Sequence, residues 1–147
     1  MARHTRYQGA IIRDDAILLI RLQHHQSGRA HWVLPGGGME AGETEEQCVV
    51  REMKEETNLN VEVQRLILVE PEHPEGTYQW RKTYLCKVID GTPEPGYEPE
   101  EEAAAAYLIT DVRWFDLRDE HSWGERVGQD PSTYPQLKRL QIELGYK

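Results

Sequence analysis

Gly37-Gly38-Met39-Glu40-Ala41-Gly42-Glu43, then seven residues, then Arg51-Glu52-Met53-Lys54-Glu55-Glu56-Thr57-Asn58-Leu59, is the stretch on which the reading of this chain turns. Thr44 with Gln47 three residues on makes a capping-box pattern, which predicts a helix starting near residue 44 and running to about 57. On that helix Glu52, Glu55 and Glu56 fall at i, i+3 and i+4, on one face, while Val49, Val50 and Met53 gather on another. One face packs and the other binds. Like charges ~6 Å apart repel by roughly 0.7 kcal/mol in water and near 3 kcal/mol at an effective dielectric of 20, and the i,i+4 pair Glu52 and Glu56 opposes the helix itself. A hard divalent cation offsets that cost, because Mg2+ takes oxygen ligands and sits between carboxylates and phosphates. The competing reading is a solvated acidic face in a chain with 26 Asp and Glu.

The approach Pro35-Gly36-Gly37-Gly38 brings backbone without side chains close to those glutamates. Taken with it, the pattern resembles the signature of the Nudix hydrolases: glycine, five residues, glutamate, seven residues, Arg-Glu, an apolar residue, any residue, Glu-Glu, any residue, glycine, an apolar residue. Gly37, Glu43, Arg51, Glu52, Met53, Glu55, Glu56 and Leu59 match it in order. Asn58 departs, standing where the family has glycine. That position follows the helix, where a left-handed backbone is wanted, and Asn tolerates it next best after glycine.

The resemblance implies an α/β fold, the Nudix α/β/α sandwich with a mixed sheet flanked by helices, over residues 1–147 as one domain. It implies metal-dependent hydrolysis of a phosphoanhydride in a nucleoside diphosphate linked to a further group X, with Mg2+ or Mn2+ as cofactor. Arg51, Glu52 and Glu55 are then the catalytic candidates. Glu52 and Glu56 are the first metal ligands, Gly36 or Gly37 adds a backbone carbonyl, and Glu55 is either a third ligand or the acid that helps deprotonate water. Arg51, one turn before Glu55, is expected to orient a box glutamate, the alternative being a plain surface pair. Glu43 supports the loop or a second metal. A further acid from a later loop would be one of Glu98, Glu100, Glu101 and Glu102, with Glu101 favoured.

Composition sets the bounds. A chain of 147 residues suits one domain with a proper core. A net charge of −9 and a pI near 5.1 lack the basic footprint that bulk nucleic acid requires, so the compatible partner is a small nucleotide. Cys48 and Cys86 form no CxxC pair and read as buried apolar residues; with no signal peptide, they point to a reducing cytoplasm. The longest apolar stretch, 103–109, has seven residues where a membrane helix needs ~20, so no membrane partner is expected. The oligomeric state is open, a homodimer among the options.

Around the motif, 7–12 and 16–22 read as a strand hairpin over the Asp14-Asp15 turn, and 31–34 as a strand feeding the glycines. Strands follow at 61–69 and 77–89, separated by a Pro- and Gly-bearing connection on the substrate side, and at 112–117. The Pro- and Glu-rich segment 90–102 reads as an exposed loop, with a short helix possible over 100–107, and 133–144 as a final helix ended by Gly145.

Arg81, Lys82 and Tyr84 alternate on a strand, so a basic and an aromatic side chain could meet phosphate and base, or simply line a polar sheet face. Arg29, in the polar loop 23–30, joins Arg81 and Tyr84 as a substrate-contact candidate. Trp32 and Trp114 read as core, Trp80 and Trp123 as either core or platform, and His24, His25 and His31 as loop or strand surface without metal-ligand spacing.

Substrate identity stays open at this level. Pro74 lies 15 residues beyond Leu59, near the proline of ADP-ribose pyrophosphatases in the resembled family; Tyr78 lies 19 beyond, near the tyrosine of its diadenosine polyphosphate hydrolases. Sanitation of an oxidised triphosphate is a third option. A sensor that binds a nucleotide without turnover is the alternative class, against which stands the cost of keeping every box acid.

Overall fold

The computed structural model describes residues 4–72, 78–97 and 106–146. Asp14 and Asp15 both take a left-handed backbone, φ 51° and 65°, the primed-turn geometry whose twist suits a two-residue hairpin. The turn joins β1 (Thr5–Arg13) to β2 (Ala16–His24), which pair at Ile12–Ile17 and Arg13–Ala16. Beyond that tip the strands part. β2 runs antiparallel to β3 (Ala30–Val33) and to β7 (Tyr107–Asp116), while β1 runs parallel to β6 (Trp80–Asp90). β5 (Asn60–Pro71) pairs with β6, and the two-residue β4 (Gly36–Gly37) pairs with β1 opposite Tyr7 and Gln8. The sheet order β3-β2-β1-β6-β5, with β4 on β1 and β7 on β2, is mixed.

Side chains alternate across this sheet, so each face owns a core. Ile11, Leu18, Tyr84 and Cys86 pack against Cys48, Val49 and Met53 of α1 (Glu45–Thr57). On the opposite face Ala10, Ile17, Leu19, Trp32 and Phe115 pack against Trp123, Val127, Leu137 and Leu140. Those last four come from a 3-10 turn (Glu120–Trp123), α2 (Glu125–Gly128) and α3 (Thr133–Glu143). The result is the α/β/α layering with a mixed sheet that the motif implied.

Three expectations need correction. The glycine approach is not a free loop, because Gly36 and Gly37 are extended and hydrogen-bonded to β1. β7 starts at Tyr107 rather than near 112, since Tyr107, Leu108 and Ile109 pair with His24, Gln23 and Leu22; the Tyr107 end of 100–107 is therefore strand. Two four-residue elements between β7 and α3 had no periodic signal to announce them. Pro74, Glu98, Glu100, Glu101 and Glu102 lie outside the described residues. Among the described residues no helix is long and apolar enough to cross a membrane.

Candidate active site

Both ends of α1 are fixed by local chemistry. Gln47 N–H donates to Thr44 Oγ1 at 3.1 Å and Thr44 N–H to Gln47 Oε1 at 3.0 Å, completing the capping box. At the other end Asn58 sits at φ 65° and its N–H donates to the Lys54 carbonyl at 3.1 Å. Between the caps, Glu52 and Glu56 are 1% and 3% exposed. The glycines are pressed against them: Gly36 N–H donates to Glu56 Oε1 at 2.7 Å, and a Cβ on Gly37 would lie 2.5 Å from Glu52 Oε1. A side chain at Gly37 would occupy the space of the carboxylate.

Arg51 ties this helix to the loop before it. Nε and Nη2 donate to the two Glu43 oxygens at 2.6 and 2.9 Å, Nη2 also to the Gly38 carbonyl at 3.0 Å, and Nη1 to Glu52 at 3.0 Å and Glu55 at 3.2 Å. The bonds to Glu43 hold the guanidinium pKa well above its ordinary value; burial pulls it down, and Glu52 adds to the rise. Glu43 also accepts from Glu40 N–H at 2.8 Å, so its carboxylate organises the loop. Arg51 is 20% exposed at its side chain and engages four glutamates, Glu43, Glu52 and Glu55 through hydrogen bonds and Glu40 at 3.6 Å, more than a plain surface pair.

A strap formed by residues 92–97 binds the C-terminal turn of α1. Glu94, Gly96 and Tyr97 N–H groups donate to the carbonyls of Thr57, Glu56 and Glu55 at 3.0, 3.0 and 3.1 Å, and Asn58 Nδ2 donates to Thr92 O at 3.1 Å. These bonds satisfy carbonyls that a helix end leaves open. A Cβ on Gly96 would collide with the Glu55 carbonyl oxygen. Sequence reading treated this stretch as an exposed loop and gave Gly96 no role.

With that geometry in view, comparison with known proteins is direct. A model of the NUDIX domain family matches residues 3–137. This chain belongs to the Nudix family. It is 33% identical over 106 residues to putative nudix hydrolase 1 of Caenorhabditis elegans, covering 72% of this chain and 26% of that protein. It is 36% identical over 101 residues to a putative ADP-ribose pyrophosphatase, YjhB, of Bacillus subtilis, covering 65% and 47%. The chain thus spans about a quarter and about half the length of these two curated relatives. The crystal structure of an ADP-ribose pyrophosphatase from Streptococcus suis superposes with TM-score 0.58 at 27% identity, covering 78% of this chain and 75% of that one.

Outside the Nudix motif the structure separates residues that the sequence had grouped. Lys82 Nζ, at 3.0 and 3.2 Å, and the Tyr84 hydroxyl both donate to Glu45 in the first turn of α1. Arg81 faces the other way, buried, with Glu70 at 3.0 Å and with Glu72; Glu70 is also paired with Arg139. Arg81 and Tyr84 therefore do not meet at one site. Arg29 is exposed beside His31, Glu125 and Asp130, in a depression that no motif residue lines. Trp123 is core, its Nε1 donating to Asp116 O at 2.6 Å, and Trp80 is on the surface, 43% exposed. The His24 ring packs edge-on against His31 and Tyr107, with centroids 5.4 and 5.7 Å apart.

Arg6 carried no signal in the sequence, yet it stands beside the motif. Its Nη2 donates to Leu34 O at 2.9 Å. Burial works against its charge, but Glu56 first, then Tyr107, Tyr78 and Glu52, outweigh that and raise its pKa above the ordinary arginine value.

The donor set fits a hard cation that is shared with a ligand. Among the described residues no group of three or more His, Cys, Asp or Glu side chains is preassembled as a cage. Mg2+ does not need one, since it is commonly held by one or two carboxylates plus substrate phosphates and waters. Glu52 and Glu56, buried against the Gly36-Gly37 backbone, would supply that number of carboxylates.

Proposed function

We propose that this Nudix domain is a metal-dependent hydrolase that directs water onto a phosphoanhydride bond of a nucleoside diphosphate linked to X, with ADP-ribose the first substrate to test. The observation that carries the reading is the pair of buried carboxylates, Glu52 and Glu56, packed on a glycine strand that leaves no room for a side chain. The family's general need for a divalent metal supports the same residues as ligands, with Mg2+ or Mn2+ as the ion and Gly36 or Gly37 as a carbonyl donor. The relatives named ADP-ribose pyrophosphatase support the choice of substrate.

Such a bond resists attack because its oxygens repel a nucleophile, and a bound metal would supply the positive charge that relieves this. The chain's own residues would do the rest. Glu52 and Glu56 would hold the ion. Glu55, more exposed than either at 16% of its side chain and steered by Arg51, is placed to accept a proton from water or to act as a third ligand. Arg51 keeps Glu52 and Glu55 apart and oriented. A cytoplasmic setting suits Cys48 and Cys86, both buried and neither in a disulfide.

Phosphorus NMR in 18O-labelled water, with Mg2+ or Mn2+, tests this on ADP-ribose, diadenosine polyphosphates and nucleoside triphosphates. AMP with ribose phosphate supports the ADP-ribose reading; monophosphate with pyrophosphate turns it toward triphosphates. Release of terminal orthophosphate alone contradicts the bond proposed. Binding of several nucleotides without cleavage of any replaces the hydrolase with a sensor.

A further inference from the structure

Glu46, Val50 and Lys54 follow one another at intervals of four residues on α1, and all three are exposed. Residues so spaced form one ridge of a helix surface. Val50 is its midpoint, with an acid four residues before it and a base four residues after. Turned end for end, the ridge reads base, valine, acid. That is the order its own complement requires.

The charges on this ridge are not spent inside the chain. Glu45, next to Glu46, is taken by Lys82 and Tyr84, whereas neither Glu46 nor Lys54 has an ion-pair partner among the described residues. Val50 is uncovered as well. It is 38% exposed and borders an open depression of about 490 Å³ between α1 and β5, the strand that ends the sheet order. Val61 and Val63 form part of its lining, together with Ile89 of β6, which is 62% exposed. Contiguous exposed apolar surface with a polar border marks an interaction site. Glu46 and Glu62 also line the depression, and their carboxylates would repel an anionic ligand.

A second copy of the chain satisfies both the charges and the apolar surface. A twofold axis through Val50 sets two α1 helices antiparallel, and ridges of residues four apart interdigitate in the commonest class of helix packing. Because residues 46 and 54 are equidistant from 50, the acid of each ridge falls beside the base of the other. We propose that this chain pairs with itself through α1, Glu46 against the partner's Lys54 on both sides of a contact between the two Val50 side chains. The proposal does not depend on the hydrolase reading. Glu52, two residues beyond Val50, lies about 200° round the helix, so the pairing leaves the buried glutamates and their glycine strand uncovered.

Sedimentation velocity of the full chain, over concentrations up to the millimolar range, tests this, with circular dichroism to check the fold of each variant. Wild type should pass from monomer to dimer. Glu46→Lys puts two bases on every ridge and Lys54→Glu two acids, so each variant alone should dimerise about tenfold or more weakly. Mixed, the two should associate, since every base again meets an acid. The double variant Glu46→Lys with Lys54→Glu should dimerise again for the same reason, and Val50→Asp, which sets two acids at the axis, should be monomeric. A wild type that stays monomeric throughout overturns the proposal and leaves the depression to a different protein or a small apolar ligand. A dimer that survives Val50→Asp overturns it by placing the contact elsewhere on the surface, and single variants that associate no better mixed than alone overturn the antiparallel register.

Discussion

Arg51 grips Glu43 as a fork, Nε to Oε2 at 2.6 Å and Nη2 to Oε1 at 2.9 Å. The same guanidinium reaches Glu52 at 3.0 Å, so a single side chain fixes the distance between the glycine loop and the buried acid of α1. Lysine keeps the charge but cannot fork. Arg51→Lys and Glu43→Gln should each cost about 1–3 kcal/mol of stability, the range for a charge-assisted, partly buried pair, and each should lower kcat tenfold or more. Urea unfolding and steady-state kinetics on the two variants check this. Wild-type turnover in Arg51→Lys would remove the fork from the orienting of Glu52.

Replacing Glu56 by Gln leaves an oxygen for Gly36 N–H but removes the charge, and Glu52→Gln does the same beside Arg51. Both variants should stay folded, the relief of like-charge crowding on one helix face being set against the charge partner that Arg51 loses at Glu52 and Arg6 at Glu56. Turnover should fall on the order of 100-fold or more, equivalent to about 3 kcal/mol of charge stabilisation in the transition state. Mg2+ should also lose its power to raise Tm. Circular dichroism, thermal shift with Mg2+ and kinetics separate these effects, and near wild-type rates would take both residues out of the mechanism.

How much of this could be read beforehand follows from how local each cause is. The α1 boundaries, the capping box and the left-handed Asn58 all depend on neighbours within four residues, and the sequence displays them. The alternation of Lys82 and Tyr84 was equally visible, but their shared target, Glu45, lies 37 and 39 residues away, and no local pattern points to it. Arg6 acquires its meaning from the parallel register that sets it against Arg81, a pairing between distant segments of chain. Gly96 reads as one more loop glycine until its N–H is seen on the Glu56 carbonyl. In each case the missing information was which strand or helix end would come alongside.

The strap gives a prediction of its own. A methyl group on Gly96 would collide with the Glu55 carbonyl, so Gly96→Ala must push the strap away from the turn that carries Glu55 and Glu56. Losing two or three of the bonds near 3 Å should cost about 1–3 kcal/mol. Because the helix end that carries Glu55 and Glu56 moves, kcat should fall. Hydrogen exchange should find the Gly96 and Tyr97 amides protected in the native protein and fast in the variant. Slow exchange retained in Gly96→Ala would mean that the strap accommodates the methyl without letting go.

Acid stability provides the last test, at Glu45. Burial pushes its carboxyl up, but the bonds from Tyr84 and Lys82 outweigh burial and hold the native pKa below the ordinary 4.5. A carboxyl depressed on folding stabilises the protein above its unfolded pKa, and that contribution is lost as pH falls from about 4.5 through the lower native value. Tyr84→Phe removes the first of the two bonds and returns Glu45 toward its ordinary value. The variant should therefore be less stable than wild type at about pH 7, by less than about 1 kcal/mol because the Glu45 side chain is 36% exposed and screened. The gap should close as pH drops below about 4. Urea unfolding across that range measures it, and a gap that persists unchanged in acid would assign the effect to packing of the ring instead. KM measured on the same variant decides the older expectation for Tyr84: an unchanged value leaves its hydroxyl to the helix, and a raised one returns it to the substrate.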